Sequence, residues 1–369
     1  MDKIQITMFE AKGTNYEIGW QLGKKQNGAT KHLINQQIPD GYPESELAEM
    51  TNLFDTYCPG LNQELAGFAD AIGVHKNQLV YNTMTYLVPG CSLLAILPEK
   101  TTDGHVLMAR NYDFSHKFDD FTFCKTNVNG RYTHMGGSVA LFGRSEGINE
   151  FGLAVAQTSC GLPVGNFPPM RKPHVAGLQF WAVIRALLEN CKNVTEALDS
   201  LTDMPIGYNI NLILADKDGT AVLFETLDGV KSFKKIDHTT TQKYIHSTNH
   251  AHLPEIIRLE PLAMKHSVTR YNYIEDFMQQ SVTVTTDDLK KLCLSNYPEG
   301  LCCGWYEDFL GTIKSMVFDI TLGTIAICWG GLDENGWNSY SLSNELATEQ
   351  ISAKIQPTSL PFDGELIKL

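Results

Sequence analysis

Two rhythms of apolar and polar residues divide the chain. From residue 59 to 72, Leu61, Leu65, Phe68, Ala69 and Ile72 recur at helical spacing, with Pro59 near the start and Gly73 as a stop. Residues 16–37 carry Ile18, Leu22, Leu33 and Ile34 in a similar rhythm, so residues 1–90 read as mainly helical. After Pro89 the rhythm shortens. β-rich runs at 92–97, 105–109, 138–142, 153–157, 211–215, 221–225 and 231–235 are punctuated by Asp103-Gly104, Asn129-Gly130, Asp218-Gly219 and Asp228-Gly229. Those dipeptides favour tight hairpins, so the runs predict antiparallel meanders.

A helix is predicted over 175–190, where Val175, Leu178, Trp181, Ile184, Leu187 and Leu188 make one apolar stripe. Further helical stretches are expected at 195–201, 267–280 and 286–293, and two last strands at 315–320 and 324–329. Grouped antiparallel strands with segregated helices predict an α+β layered fold, with two sheets face to face and helices outside. The loop 161–173, with four prolines, reads as a lid or a connector.

The net charge of -13 argues against nucleic acid and anionic membranes as partners. No apolar run approaches the length that spans a bilayer, and the first residues lack the pattern of a signal peptide, so a cytoplasmic location is expected. Nine cysteines without a CxxC pair read as reduced, mostly buried thiols. His246, His250 and His252 have no acidic or cysteine partner at a metal-ligand spacing, so neither metal nor cofactor is expected.

One arrangement carries chemistry. Gly90-Cys91-Ser92 opens a strand, and the Asp103-Gly104 turn folds the following run back so that Arg110-Asn111-Tyr112-Asp113 falls beside Cys91. A cysteine after a glycine suits a catalyst that cleaves the bond before its own nucleophile. The thiol attacks the Gly90 carbonyl, and hydrolysis leaves Cys91 with a free α-amine. A terminal amine has a reference pKa of about 7.7, against about 10.4 for lysine, so it can take the thiol proton near neutral pH without a histidine. Asp113 is placed to orient that amine and Arg110 to lower the thiol pKa or hold a polar substrate group. Asn249, after the run 244–248, offers an oxyanion donor. Asn111, Tyr112, Asn209 and Asn211 are further substrate or oxyanion candidates. Two other readings stand beside this one: a conventional thiol hydrolase using His105, His116 or His250, and a non-catalytic relative that binds an amide-like small molecule or a protein.

Taken together these residues resemble the peptidase C45-like branch of the N-terminal nucleophile (Ntn) hydrolases. The resemblance rests on Tyr16-Glu17-Ile18-Gly19, Glu64-Leu65-Ala66-Gly67-Phe68-Ala69, Gly90-Cys91-Ser92 and Asn111-Tyr112-Asp113. It continues through Gly147 to Val155, Thr248-Asn249-His250, and Tyr297-Pro298 with Cys302. The Arg-Asn-x-Asp form is similar to that of choloylglycine hydrolases and penicillin V acylases. The resemblance implies a four-layer αββα sandwich and autocleavage between Gly90 and Cys91. Residues 1–90 would form an α-chain and 91–369 a β-chain, which stay associated. It further implies Cys91 as nucleophile, Asp113 in support of the amine, Asn249 as oxyanion donor, and a small-molecule amide or acyl donor as partner. Hydrolysis is favoured over acyl transfer because no stretch reads as a nucleotide or coenzyme A site.

Overall fold

The computed structural model describes residues 2–26, 44–79, 90–139, 142–162, 174–207 and 209–369. Most of the loop expected over 161–173 lies outside the described residues, as does the second half of the helix expected over 16–37. Among the described residues, the first ten strands are β1 (Asp2–Gly13), β2 (Gly90–Ile96), β3 (Leu107–Phe114), β4 (Thr122–Val128), β5 (His134–Val139), β6 (Gly143–Arg144), β7 (Glu146–Asn149), β8 (Leu153–Ser159), β9 (Ile210–Asp216) and β10 (Ala221–Leu227). They continue as β11 (Val230–Ile236), β12 (Tyr244–Ser247), β13 (Leu262–Met264), β14 (Gly304–Trp305), β15 (Leu310–Asp319), β16 (Thr324–Trp329), β17 (Asn338–Ser341), β18 (Glu349–Ile355) and β19 (Leu366–Lys368). The helices are α1 (Asn15–Lys25), α2 (Glu44–Tyr57), α3 (Leu61–Ile72), α4 (Phe180–Asn190), α5 (Val194–Asp203), the single turn α6 (Pro254–Ile257), α7 (Lys265–Gln280) and α8 (Thr286–Leu294).

The first element is a strand that the helical reading of residues 1–90 did not include. Ile4, Ile6 and Met8 are buried at a period of two, and β1 lies inside the edge strand of a sheet, parallel to β4 and antiparallel to the edge strand β18. The helix expected from residue 175 begins only at Phe180. Leu178 is held extended by bonding Pro205 and Gly207 through its backbone. Asp103-Gly104, Asp218-Gly219 and Asp228-Gly229 fall between the strands they were expected to join, whereas Asn129-Gly130 joins β4, which was not predicted, to β5.

Ten strands form one sheet, ordered β11-β10-β9-β8-β7-β5-β4-β1-β18 with β6 on β5. Seven form a second, ordered β12-β2-β3-β15-β16-β17 with β14 on β15. A shared core joins their inner faces, including Ile6, Met8, Leu93, Met108, Ile213 and Phe318. The outer face of the ten-stranded sheet packs Leu212 and Leu214 on α1–α5 through Ile18, Phe68, Trp181 and Leu201. The outer face of the other sheet packs Leu94 and Val317 on α7 and α8 through Ile274, Met278 and Leu289. The result is the four-layer αββα sandwich.

Two glycines let α1 and α3 cross at backbone contact. A Cβ on Gly19 would collide with the Glu64 carbonyl, and one on Gly67 with the Tyr16 carbonyl. The Thr14–Glu17 capping box starts α1 at that crossing. No described helix is long and apolar enough to cross a membrane.

Candidate active site

Register alone brings the chemistry together. In the β2–β3 pair Gly90 faces Asp113, Cys91 faces Tyr112, Ser92 faces Asn111 and Leu93 faces Arg110. Antiparallel partners share a face, so Cys91, Arg110 and Tyr112 point between the sheets, while Asn111 and Asp113 point toward α7 and α8. The strand expected over 105–109 runs instead to Phe114, so the charged run lies inside the sheet rather than beyond a strand end. β15 flanks it, pairing Thr312 with Asp113 and Met316 with Arg110.

On the thiol side, Arg110 Nη2 lies 3.5 Å from Cys91 Sγ. That guanidinium is fixed by Glu146 Oε2, 2.7 Å from its Nε, and by a bond from Nη1 to the Gln157 carbonyl. Glu146 is shared, because Lys314 Nζ stands 2.9 Å from its Oε1 and donates to Ser145 Oγ at 3.1 Å. Both cations also lie over the Tyr112 ring, Arg110 Cζ at 5.2 Å and Lys314 Nζ at 4.6 Å from its centroid. Burial lifts the Glu146 carboxyl, but Lys314 and Arg110 outweigh it and hold the group below the usual carboxylate range. Burial also pushes the Cys91 thiol up to about 11, with Arg110 pulling the other way.

On the backbone side, the Cys91 N–H donates to Asn249 Oδ1 at 2.8 Å, and the Cys91 carbonyl accepts from Arg270 Nη1 at 2.8 Å. Arg270 is the hub. Its Nη1 lies 3.2 Å from Asp113 Oδ2, and its Nη2 donates to Asn249 Oδ1 at 2.8 Å. Thr312 Oγ1 donates to the other Asp113 oxygen at 2.7 Å. Burial raises the Asp113 carboxyl to about 6 against the pull of Arg270 and Thr312. The atom that faces the Cys91 nitrogen is thus the Asn249 oxygen, while Asp113 reaches the site through Arg270. The Asn249 Nδ2 donates to Ser159 Oγ at 2.9 Å in the intact chain.

The other candidates take separate places. Asn211 Nδ2 donates to the carbonyls of Thr248 at 3.0 Å and His250 at 2.9 Å, and so clamps the turn that presents Asn249. Asn209 accepts from the Asp228 N–H at 3.1 Å and braces the β10–β11 turn. Asn111 donates to the Cys293 carbonyl at 2.8 Å and ties β3 to the end of α8. Gly90 is tightly covered, since an added Cβ would meet a methyl of Leu310. Arg270, Glu146 and Lys314 were not among the residues singled out in the sequence. The one signal was a lysine within the apolar run 310–320.

The candidate histidines are held by other partners. His105 is paired with Asp319 at 2.8 Å at the turn end of the hairpin, seven residues from Tyr112, the partner of Cys91, or roughly 20 Å along a strand. Asp103, His105 and Asp319 are a described group that could hold a metal ion, at that far end. The His250 Nδ1 bonds Ser267 Oγ at 2.8 Å, and burial pushes this ring down to about 3. His246 and His252 stack on Tyr271 at 4.1 and 4.7 Å, and burial keeps both rings neutral near pH 7. The His116 ring packs edge-on against Tyr306. A cavity of about 260 Å³, lined by Tyr297, Cys302, Trp305, Thr312 and Leu360, opens on the Asp113 side of β3, away from the thiol.

Residues 100–334 match the family model described as acyl-coenzyme A:6-aminopenicillanic acid acyl-transferase. No curated protein sequence matches the chain. Among solved structures, the chain is similar to a mutant conjugated bile acid hydrolase from Clostridium perfringens, with 13% identity and a TM-score of 0.48 over 74% of this chain and 99% of that one. It is also similar to the Caenorhabditis elegans N-acylethanolamine-hydrolyzing acid amidase ortholog, with 16% identity and a TM-score of 0.43 over 63% and 94%. A penicillin V acylase from Agrobacterium tumefaciens aligns at 13% identity and a TM-score of 0.39 over 65% and 83%.

Proposed function

The chain belongs to the acyl-coenzyme A:6-aminopenicillanic acid acyl-transferase family, and so to the hydrolases and acyltransferases of amide bonds; we propose that it is a self-processing amidohydrolase whose nucleophile is Cys91. The observation that carries this reading is that every polar atom of one buried cysteine is held: its N–H by Asn249, its carbonyl by Arg270 and its sulfur by Arg110. Any buried cysteine needs partners for its backbone N–H and carbonyl, but here side chains supply them and a guanidinium lies at the sulfur.

The thiol requires a base. At a pKa of about 11, roughly one thiol in ten thousand is ionised at pH 7. In the processed enzyme the α-amine of Cys91 supplies the base within the same residue. Processing begins when the sulfur attacks the Gly90 carbonyl, forming the S–C bond and breaking the C–N bond, with the thiol proton ending on the departing Cys91 nitrogen. Water then releases the Gly90 carboxyl. The new amine takes the place of the N–H that bonds Asn249 Oδ1.

With substrate, the thiol proton passes to the α-amine as sulfur attacks the amide carbon. The tetrahedral oxyanion is stabilised by the Asn249 carboxamide N–H, released from Ser159. The leaving amine takes the proton back, and water cleaves the thioester. Arg110, immobilised by Glu146, offsets negative charge at sulfur throughout.

Acid-quenched mass spectrometry during turnover of N-acyl 4-nitroanilides tests this chemistry. The expected result is the acyl mass on the fragment that begins at Cys91, lost on hydroxylamine treatment. With a free amine present, more acid than amide is expected. Turnover by Cys91→Ala at a rate near wild type contradicts the proposal.

A further inference from the structure

Aromatic rings run from the thiol to solvent on the face that Cys91 shares. Tyr112, the strand partner of Cys91, lies 6.1 Å from Phe114; Phe114 lies 5.7 Å from Phe309; and Phe309 stacks on Phe118 at 5.5 Å and 22°. The first two rings are buried, whereas Phe309 is 40% and Phe118 60% exposed. A stacked phenylalanine pair open to water and continuous with a buried catalytic face is an exposed apolar surface of the kind that binds apolar groups.

Two observations separate it from an incidental edge of the core. Phe309 has φ +59°, a left-handed conformation that a bulky side chain adopts only under constraint from its surroundings. The next residue, Leu310, is the one that covers Gly90. Such strain at the rim of a reactive centre holds a ring where water would not. The loops carrying the two rings are braced by the Lys117–Glu307 pair at 2.6 Å and by His116 against Tyr306. At the inner end, the Tyr112 hydroxyl is buried without a hydrogen-bond partner among the described residues. That places an unmet polar group at the bottom of an apolar ladder.

We propose that the ladder Tyr112–Phe114–Phe309–Phe118 is the acyl subsite and that it selects amides of apolar acyl groups several carbons long. This rests on Cys91 being the acyl-accepting thiol. The apolar tail lies along Phe309 and Phe118, and the carbonyl end meets Cys91 beside the Tyr112 hydroxyl. The cavity lined by Thr312 and Cys302 lies on the other face of the strand and takes no part.

The test compares wild type with Phe118→Ser/Phe309→Asn, asparagine being tolerant of the left-handed backbone. Acetyl, butanoyl and hexanoyl 4-nitroanilides report kcat/KM, and calorimetry of heptan-2-one, a ketone of the same shape as hexanamide with no amine to lose, reports binding without turnover. For wild type, kcat/KM is expected to rise by up to about fourfold per methylene, the yield of full burial. The double variant is expected to lose about tenfold or more of the hexanoyl-to-acetyl ratio and of heptan-2-one affinity, roughly two methylenes' worth of contact. General damage to the fold would lower both substrates together and leave that ratio unchanged. An unchanged ratio, or equal heptan-2-one affinity in the two proteins, overturns the subsite. If no anilide is cleaved but heptan-2-one binding still falls in the double variant, the ladder stands and the assignment of Cys91 fails.

Discussion

Two clusters of charge are buried in this molecule, and they differ in balance. In the outer helical layer, Arg185 of α4 meets Glu64 of α3 at 2.5 Å and Glu189 one turn away at 2.9 Å. Arg144 and His134 complete that cluster, and burial and Arg144 push the His134 ring down to about 4, so it is neutral at pH 7. Two guanidinium groups thus face two carboxylates. At the active site, the ion pairs of Arg110, Lys314 and Arg270 among the described residues are with Glu146 and Asp113. Asp119, pushed up to about 7 by burial and by Asp120, adds its charge only as pH rises past that value.

The same residue types therefore do different things. A balanced cluster staples α3 to α4, and its charges are satisfied before any ligand arrives. An unbalanced one keeps a surplus positive charge against the sulfur and the backbone of Cys91, which suits a thiolate or an oxyanion that exists only during reaction. Burying such a surplus disfavours the resting state, and the intact chain limits it by letting Arg270 bond the Cys91 carbonyl and Asn249.

Arg270→Ala should break the contrast most strongly. It strips contacts from Asp113, the Cys91 carbonyl and Asn249 together, and cleavage at Gly90-Cys91 is expected to slow by about 100- to 1000-fold. Gel electrophoresis of fresh protein over time reads this directly, and wild-type cleavage would remove Arg270 from the account. Glu146→Gln should follow, lowering kcat by about tenfold to 100-fold because Arg110 loses its anchor. Removing one partner of a buried pair should also lower stability by about 3–5 kcal/mol, read by urea denaturation. The pH profile comes next. Asp113 is protonated below about 6 and ionised above it, so the fall of cleavage with falling pH, set above 6 by the thiol alone, should steepen by a further tenfold or so per pH unit below 6. A slope unchanged from pH 7 to 4 would show that the ionised carboxylate is not needed.

Glu64→Gln sharpens the comparison from the other side. It should lower stability by about 3–5 kcal/mol, as at Glu146, yet leave kcat per folded molecule within about twofold. A large loss of kcat would mean that the two clusters are coupled. His105→Ala should do least, with activity within about twofold, because its ion pair lies roughly 20 Å from Cys91.

How much of this was legible follows the range of the interactions. Cys91, Arg110 and Asp113 belong to one hairpin, so a turn signal and a residue count were enough to set them side by side. The layers were legible from the two apolar rhythms. Arg270 was not, because it reaches Cys91 across 179 residues of chain and its helix carries a weak apolar stripe. Glu146 and Lys314 meet Arg110 only once the sheets are ordered and stacked, which local periodicity does not encode. β1 was missed for a related reason: its alternation precedes a capped helix, and its place between β4 and β18 depends on partners more than a hundred residues away. The Asn249 role came from resemblance, and the intact chain adds that its oxygen, not its nitrogen, faces Cys91.

The most direct test of the account is the intact mass of freshly purified wild type beside Cys91→Ala. Two fragments from wild type, divided between Gly90 and Cys91, with a single 41.1 kDa chain from the variant, are the predicted result. A wild-type chain that stays whole while it hydrolyses amides would contradict it, because a thiol at about 11 would then be working without the α-amine assigned as its base.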